Sequence, residues 1–200
     1  MSDFKFEYPP GATPLNPNEL AGLKPTYIST QRELNAAEQD NILLGEKWAF
    51  AQKRKDFLSE KFMRELHRKM FGHVWSWAGS YRNSDKSIGV PWFEIPAEIN
   101  KLLHDVRYWI SYETYPIDEI AARLHHRLVL VHPFPNGNGR WARAMADVLL
   151  MSLDQPRFSW GAHLNAGTLG EHGDARARYI RALRLADTKN YAELLAFVRS

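Results

Sequence analysis

The stretch His132-Pro133-Phe134-Pro135-Asn136-Gly137-Asn138-Gly139-Arg140-Trp141-Ala142-Arg143 decides how the chain is read. Upstream of it, Ile120, Leu124, Leu128 and Val131 recur at helical spacing. Downstream, Ala142, Met145, Ala146, Leu149 and Leu150 do the same. Two helices, over 117–131 and 138–153, therefore flank a short loop. Both prolines fall in that loop, where a missing N–H and a fixed φ do no harm. Gly137 and Gly139 lack side chains, so their backbone N–H groups can approach a bulky ligand. The second helix starts near Asn138 to Arg140, and its first N–H groups have no intrahelical acceptor. Its dipole favours negative charge there. Arg140 and Arg143 are three apart and share a face, so both can turn on phosphate oxygens. His132 stands across the loop as a candidate base. The expected object is a phosphate cradle with an imidazole beside it; a plain turn between two helices is the bland alternative.

This run resembles the signature of Fic domains, whose usual form is His-x-Phe-x-Asp/Glu-Gly-Asn-Gly-Arg-x-x-Arg. The resemblance covers residues 57–155. Thr13-Pro14-Leu15, Glu33-Leu34-Asn35 and His132 to Arg143 resemble more closely the branch called mobile mystery protein B. The implied fold is an all-α Fic-type domain with a small β-hairpin flap. The implied chemistry is transfer of AMP from ATP to a Ser, Thr or Tyr hydroxyl of a target protein, with release of pyrophosphate. By the resemblance, His132 deprotonates the hydroxyl and Phe134 anchors the loop under the nucleotide. Gly137, Asn138 and Gly139 form the anion hole, with Asn138 also on the α-phosphate. Arg140 holds a phosphate, and Arg143 positions phosphates or meets an inhibitory glutamate. Asn136 stands where the family has the carboxylate that binds magnesium. A neutral amide oxygen binds Mg2+ or Mn2+ more weakly. Another nucleotide or phosphoryl donor, or a weakly catalytic nucleotide-binding regulator in a toxin–antitoxin-like pair, stays open as the alternative.

Many relatives in the family carry an inhibitory helix with a Ser/Thr-x-x-x-Glu-Gly/Asn motif, whose glutamate pairs with the second motif arginine. Two glutamates compete for that place. Ser29 to Glu33 has the spacing, but Leu34 fills the place of Gly/Asn and Glu33 also suits a capping box with Thr30. Glu38 is followed by Gln39, with Leu34 in the place of Ser/Thr. Glu38 is favoured because it lies deeper in the helix and precedes Asn41-Ile42. The expected contact is to Arg143.

Composition sets the frame. The chain has 200 residues, 44% of them hydrophobic and 24% charged, which suits one globular domain with a sizeable core. Net charge is +3, which admits a polyanionic nucleotide without pointing to nucleic acid. There is no cysteine, so disulfides, thiolate catalysis and cysteine zinc sites are excluded. No signal-like start and no long apolar run is present, so a cytoplasmic protein without a membrane span is expected.

In order, residues 1–28 read as an arm rich in proline, with a turn of helix from Pro17 to Leu20 capped by Asn16. Residues 29–56 hold the first long helix, the candidate inhibitory one. Residues 57–155 are the core, opening with a helix over 59–71 capped by Ser59. Residues 74–94 read as the flap. There Gly89 and Pro91 argue for an edge strand, and Ile88 and Val90 are assigned to clamping the target, or to a local cluster. Arg82 is open between structure and substrate. A helix covers 96–112. His125 and His126 are adjacent, so one is expected packed and the other exposed. Residues 156–200 form a loop over 157–173 and two helices, over 174–186 and 190–199, in which Tyr179 is read as core rather than adenine-stacking. The resemblance implies a target protein hydroxyl and, for the closer branch, a small helix-turn-helix protein as partners, and a homodimer is left open.

Overall fold

A computed structural model describes residues 13–51, 56–162 and 174–200. Among the described residues eight α-helices follow in order: α1 Pro17–Leu20, α2 Gln31–Phe50, α3 Glu60–Phe71, α4 Ile95–Ser111, α5 Ile117–Val131, α6 Asn138–Ser152, α7 Asp174–Asp187 and α8 Ala192–Val198. A 3-10 turn over Trp92–Glu94 leads into α4. The helix starts are those the side chains specify. Asn16 caps α1 and Thr30 caps α2, each closed into a capping box by Glu19 or Glu33. Ser59 caps α3 through the Phe62 N–H at 3.1 Å.

The centre is α6. Trp141, Ala142, Ala144, Met145, Ala146, Val148, Leu149 and Leu150 are all buried, so the helix is covered on nearly every side. It packs against α2, α3 and α5. Its alanines let those helices approach, and Trp141 fills the remaining space with its indole N–H on the Met63 carbonyl at 3.0 Å. Helix α4 covers α5 from outside, and α7 and α8 pair, with α8 against α5. The inhibitory candidate α2 is thus an integral wall. Asn41 fixes it to the end of α3, donating to the Lys69 carbonyl and accepting from the His73 N–H, both at 2.8 Å.

Two expectations are corrected. No strand occurs among the described residues, so the flap is not a β-hairpin. Residues 83–91 form successive bends instead. Gly89 sits at φ +107°, Pro91 has no N–H to give a ladder, and the Val90 carbonyl is taken by Arg82. The Trp92 N–H is taken by Asp85 at 2.9 Å. The histidine pair also differs from the reading, because both rings are buried. The reason is that α7 and α8 cover α5: His125 meets the Tyr179 hydroxyl at 2.8 Å, and His126 meets Asp187 at 2.8 Å and Tyr191 at 3.1 Å. Residues 1–12 of the arm, and Asn165, Gly167, Gly170 and Gly173 of the 157–173 loop, lie outside the described residues.

Candidate functional site

The site is built on the turn from α5 to α6. Helix α5 ends at His132, which adopts the left-handed conformation at φ +52°, a place more often filled by glycine. Pro133 follows and cannot continue the helix. Phe134 then turns inward and is fully buried. It stacks on His67 at 3.7 Å and meets the edge of Trp141 at 4.9 Å. With no exposed surface, Phe134 serves a ligand only by anchoring the loop. Asn138 clamps the same point: its amide oxygen accepts from the Phe134 N–H at 2.9 Å, and its amide nitrogen donates to the Phe134 carbonyl at 2.8 Å.

His67 holds the loop from below, a role its sequence position does not announce. Its Nδ1 accepts from the Gly79 N–H at 3.0 Å, so the proton is on Nε2, which donates to the Asn136 carbonyl at 3.0 Å. Burial drives its pKa down to about 3, and the ring stays neutral.

The glycines divide the work. Gly137 is the N-cap of α6 at φ +79°, and a Cβ there would lie 2.5 Å from the Phe71 ring. Its N–H is occupied by the Asn136 amide oxygen at 2.6 Å. A Cβ on Gly139 would meet nothing nearer than the Tyr179 hydroxyl at 4.0 Å. The open approach is therefore at Gly139, while Gly137 answers to backbone shape and to Phe71. No side chain caps α6, so the N–H groups of Asn138, Gly139 and Arg140 carry the positive end of its dipole.

The two arginines separate. Arg140 lies over Phe71 and pairs with Glu38 at 2.7 Å. Glu38 is buried on α2, and its other oxygen accepts from the Trp75 indole N–H at 2.7 Å. The carboxylate thus reaches the first motif arginine, not Arg143. Arg143 instead faces the Tyr179 ring at 5.9 Å. Glu33 stays with its capping box, bonded to Ser29 and Thr30 at the exposed start of α2.

His132 is 7% exposed. Burial first, then the charges of Arg82 and Lys86, lower its pKa to about 4. Its Nδ1 is buried with no hydrogen-bond partner. Nε2 lies 3.1 Å from the Thr13 hydroxyl. Arg82 is structural: its Nε donates to the His132 carbonyl at 2.7 Å, its Nη1 to the Ser84 carbonyl at 2.9 Å and its Nη2 to the Val90 carbonyl. This guanidinium fastens the bends over 83–91 to the α5–α6 turn. Gly89 makes that possible, since a Cβ there would lie 2.8 Å from the His132 Cβ. Ile88 is 44% exposed, and the Val90 backbone is engaged with Arg82 and Val131.

For a divalent cation the chain offers little of its own. Among the described residues no group of three His, Cys, Asp or Glu converges. Asn136 would give one neutral oxygen, and that oxygen is turned onto the Gly137 N–H, with Arg140 at 3.5 Å. These donors do not make a protein-built metal site.

Comparison with known proteins agrees with this architecture. Residues 57–150 match the model of the Fic/DOC family. The chain is 32% identical over 108 residues to the protein adenylyltransferase Fic of Aedes aegypti, covering 52% of this chain and 21% of that protein. It is 32% identical over 151 residues to protein adenylyltransferase fic-1 of Caenorhabditis elegans, covering 74% and 27%. The chain thus spans about a quarter of the length of such relatives. The N-terminal Fic domain of a VirB-translocated Bep effector from Bartonella quintana superposes with a TM-score of 0.70 at 16% identity, over 90% of this chain and 91% of that one. C. elegans Fic-1 superposes at 0.61 and 23%, over 90% and 51%. No helix among the described residues is long and apolar enough to cross a membrane. Residues 57–150, which build α3 to α6 and the motif loop, form a domain of the Fic/DOC family.

Proposed function

We propose that the chain transfers AMP from ATP to a Ser, Thr or Tyr hydroxyl of a protein. The observation that carries this reading is the carboxylate of Glu38 on Arg140: the start of α6 already holds an anion. A nucleotide's phosphates are the natural competitor for that place. The N–H groups of Asn138, Gly139 and Arg140 would face the charge that develops on the phosphorus oxygens. His132 Nε2 takes the proton of the attacking hydroxyl. The relatives named adenylyltransferases over the same core support the choice of AMP.

On this reading Glu38 is a latch. While it pairs with Arg140, a triphosphate cannot use that guanidinium. ATP must compete with a buried, doubly held carboxylate, which sets a low resting activity. Any magnesium would arrive on the triphosphate.

Incubation with labelled ATP and magnesium or manganese tests the reading. E38G is expected to label lysate proteins more strongly than the parent chain, and H132A to label none. Equal labelling by H132A would remove the base assignment, and activation by E33G instead of E38G would move the latch. The engaged oxygen of Asn136 supports a second reading, in which the donor is another nucleotide. The mass added to a modified protein distinguishes the two.

A further inference from the structure

The arm before α1 ends its described path at the catalytic base. Thr13 is 5% exposed, and its hydroxyl is the polar group facing His132 Nε2, at 3.1 Å. In the Nδ1–H tautomer this contact is a hydroxyl donating to a general base. The following residues are held where a target segment is expected to dock. Lys86 of the bends donates to the Pro14 carbonyl at 3.0 Å and pairs with Glu19. The Asn16 amide lies 3.4 Å from the Ser84 hydroxyl, and Leu15 is buried. The arm continues along the core, with the Lys24 N–H on the Val74 carbonyl and the Ser76 N–H on the Gly22 carbonyl, both at 2.8 Å.

A segment that only covered the base could do so with any apolar side chain. This one buries an ingredient of the reaction, an aliphatic hydroxyl, against the ring nitrogen assigned above as the base. Its neighbours are fixed through backbone carbonyls and small polar contacts, a mode that orients a peptide without depending on most of its side chains. Tethering also removes the entropy cost of bringing acceptor and base together.

We propose that Thr13 is the chain's own acceptor, nucleotidylated in cis at the site of His132. The inference rests on the transfer reading above. In the step, Thr13 Oγ1 attacks the α-phosphorus of a nucleoside triphosphate and the Oγ1–P bond forms. The bond from that phosphorus to its bridging oxygen breaks, and pyrophosphate leaves with the electron pair. The hydroxyl proton passes to His132 Nε2.

The test uses the whole chain and its E38G form with α-labelled ATP, magnesium or manganese, and a cell lysate. Modified peptides are mapped by fragmentation mass spectrometry. The expected result is a nucleotidyl group on Thr13, appearing at a first-order rate that does not change with protein concentration. T13S keeps the self-label. T13V, close to threonine in shape but without the hydroxyl, loses it; circular dichroism and melting curves check that T13V is folded. Label on lysate proteins with Thr13 unmodified would overturn the acceptor role and leave the transfer reading standing, with the arm as a cover only. Self-label on another residue, unchanged in T13V, would overturn it too. No label on any protein from either form would sink both readings together.

Discussion

At His132 the surroundings decide what the side chain can do. A solvated histidine is half charged near pH 6.5. Here burial and the nearby cations Arg82 and Lys86 hold the pKa down to about 4. The ring is therefore a neutral acceptor throughout the physiological range. A pH profile of nucleotidyl transfer is expected to show no histidine limb between pH 6 and 8; a limb near 6.5 would mean that the ring is solvated in the working state. The latch gives a second prediction at this scale. E38Q keeps an oxygen for Trp75 but removes the charge facing Arg140. Because Arg140 retains 32% of its side chain in water, the stability loss should be modest, about 1–2 kcal/mol, and visible in urea unfolding. Nucleotide affinity should rise at the same time, measured by calorimetry. The motif residues were legible because they stand in one continuous run. Thr13, His67, Arg82 and Trp75 were not. Each acts through a partner far along the chain, 119 residues away for Thr13 and His132 and 69 for His67 and Asn136. Nothing in local spacing encodes such a meeting. The glutamate shows the halfway case: Glu38 is the buried one, but the arginine it reaches is Arg140 and not the expected Arg143. Which of two guanidiniums on one helix face a carboxylate reaches depends on how α2 crosses α6.

Among the elements, the α5–α6 turn concentrates the most specific demands. Its two glycines read alike in the sequence and differ in the fold. G137A places a methyl 2.5 Å from Phe71 on a backbone at φ +79°. Strain of about 1–2 kcal/mol plus the clash should lower the melting temperature clearly. G139A meets only open space and replaces glycine inside the first turn of a helix, worth up to about 1 kcal/mol in favour. It should leave thermal stability equal or higher while reducing nucleotide binding. If both variants lose stability alike, the division between a shape glycine and an approach glycine is wrong. Helix boundaries followed capping chemistry closely: the reading of 59–71 became Glu60–Phe71 behind its Ser59 cap, and Asn16 capped the short turn as read. Within the 29–56 segment the first long helix runs Gln31–Phe50 and ends earlier than that reading. The hairpin expectation failed for a reason visible only in three dimensions. The carbonyls that a partner strand would need are bonded by one buried guanidinium, that of Arg82.

Over the whole molecule, buried neutral histidines dominate the response to acid. His67 and His125 titrate only at about 3, and His132 at about 4, each chiefly because of burial. In the unfolded chain all three take protons near pH 6.5. Between those values the unfolded state binds more protons, so stability is present above about pH 6.5 and lost as pH falls. Asp147 works the other way: burial raises its pKa to about 6, so its ionisation costs stability as pH rises through the range from 4 to 6. Glu46, raised by burial, acts as Asp147 does, but the three histidines outweigh the two carboxyls, and the melting temperature should fall steadily from pH 7 to pH 5. A flat profile would mean that these rings gain water in solution.

The bond from Trp75 to Glu38 has a practical sequel. An indole proton held by a carboxylate has its own chemical shift, so this ring is a built-in spectator of the latch. In a nitrogen-15 spectrum, nucleotide addition that moves the Trp75 indole signal would report the carboxylate swinging away, with no label attached to the protein. A signal that stays put while nucleotide binds would show the triphosphate and the closed latch sharing the pocket.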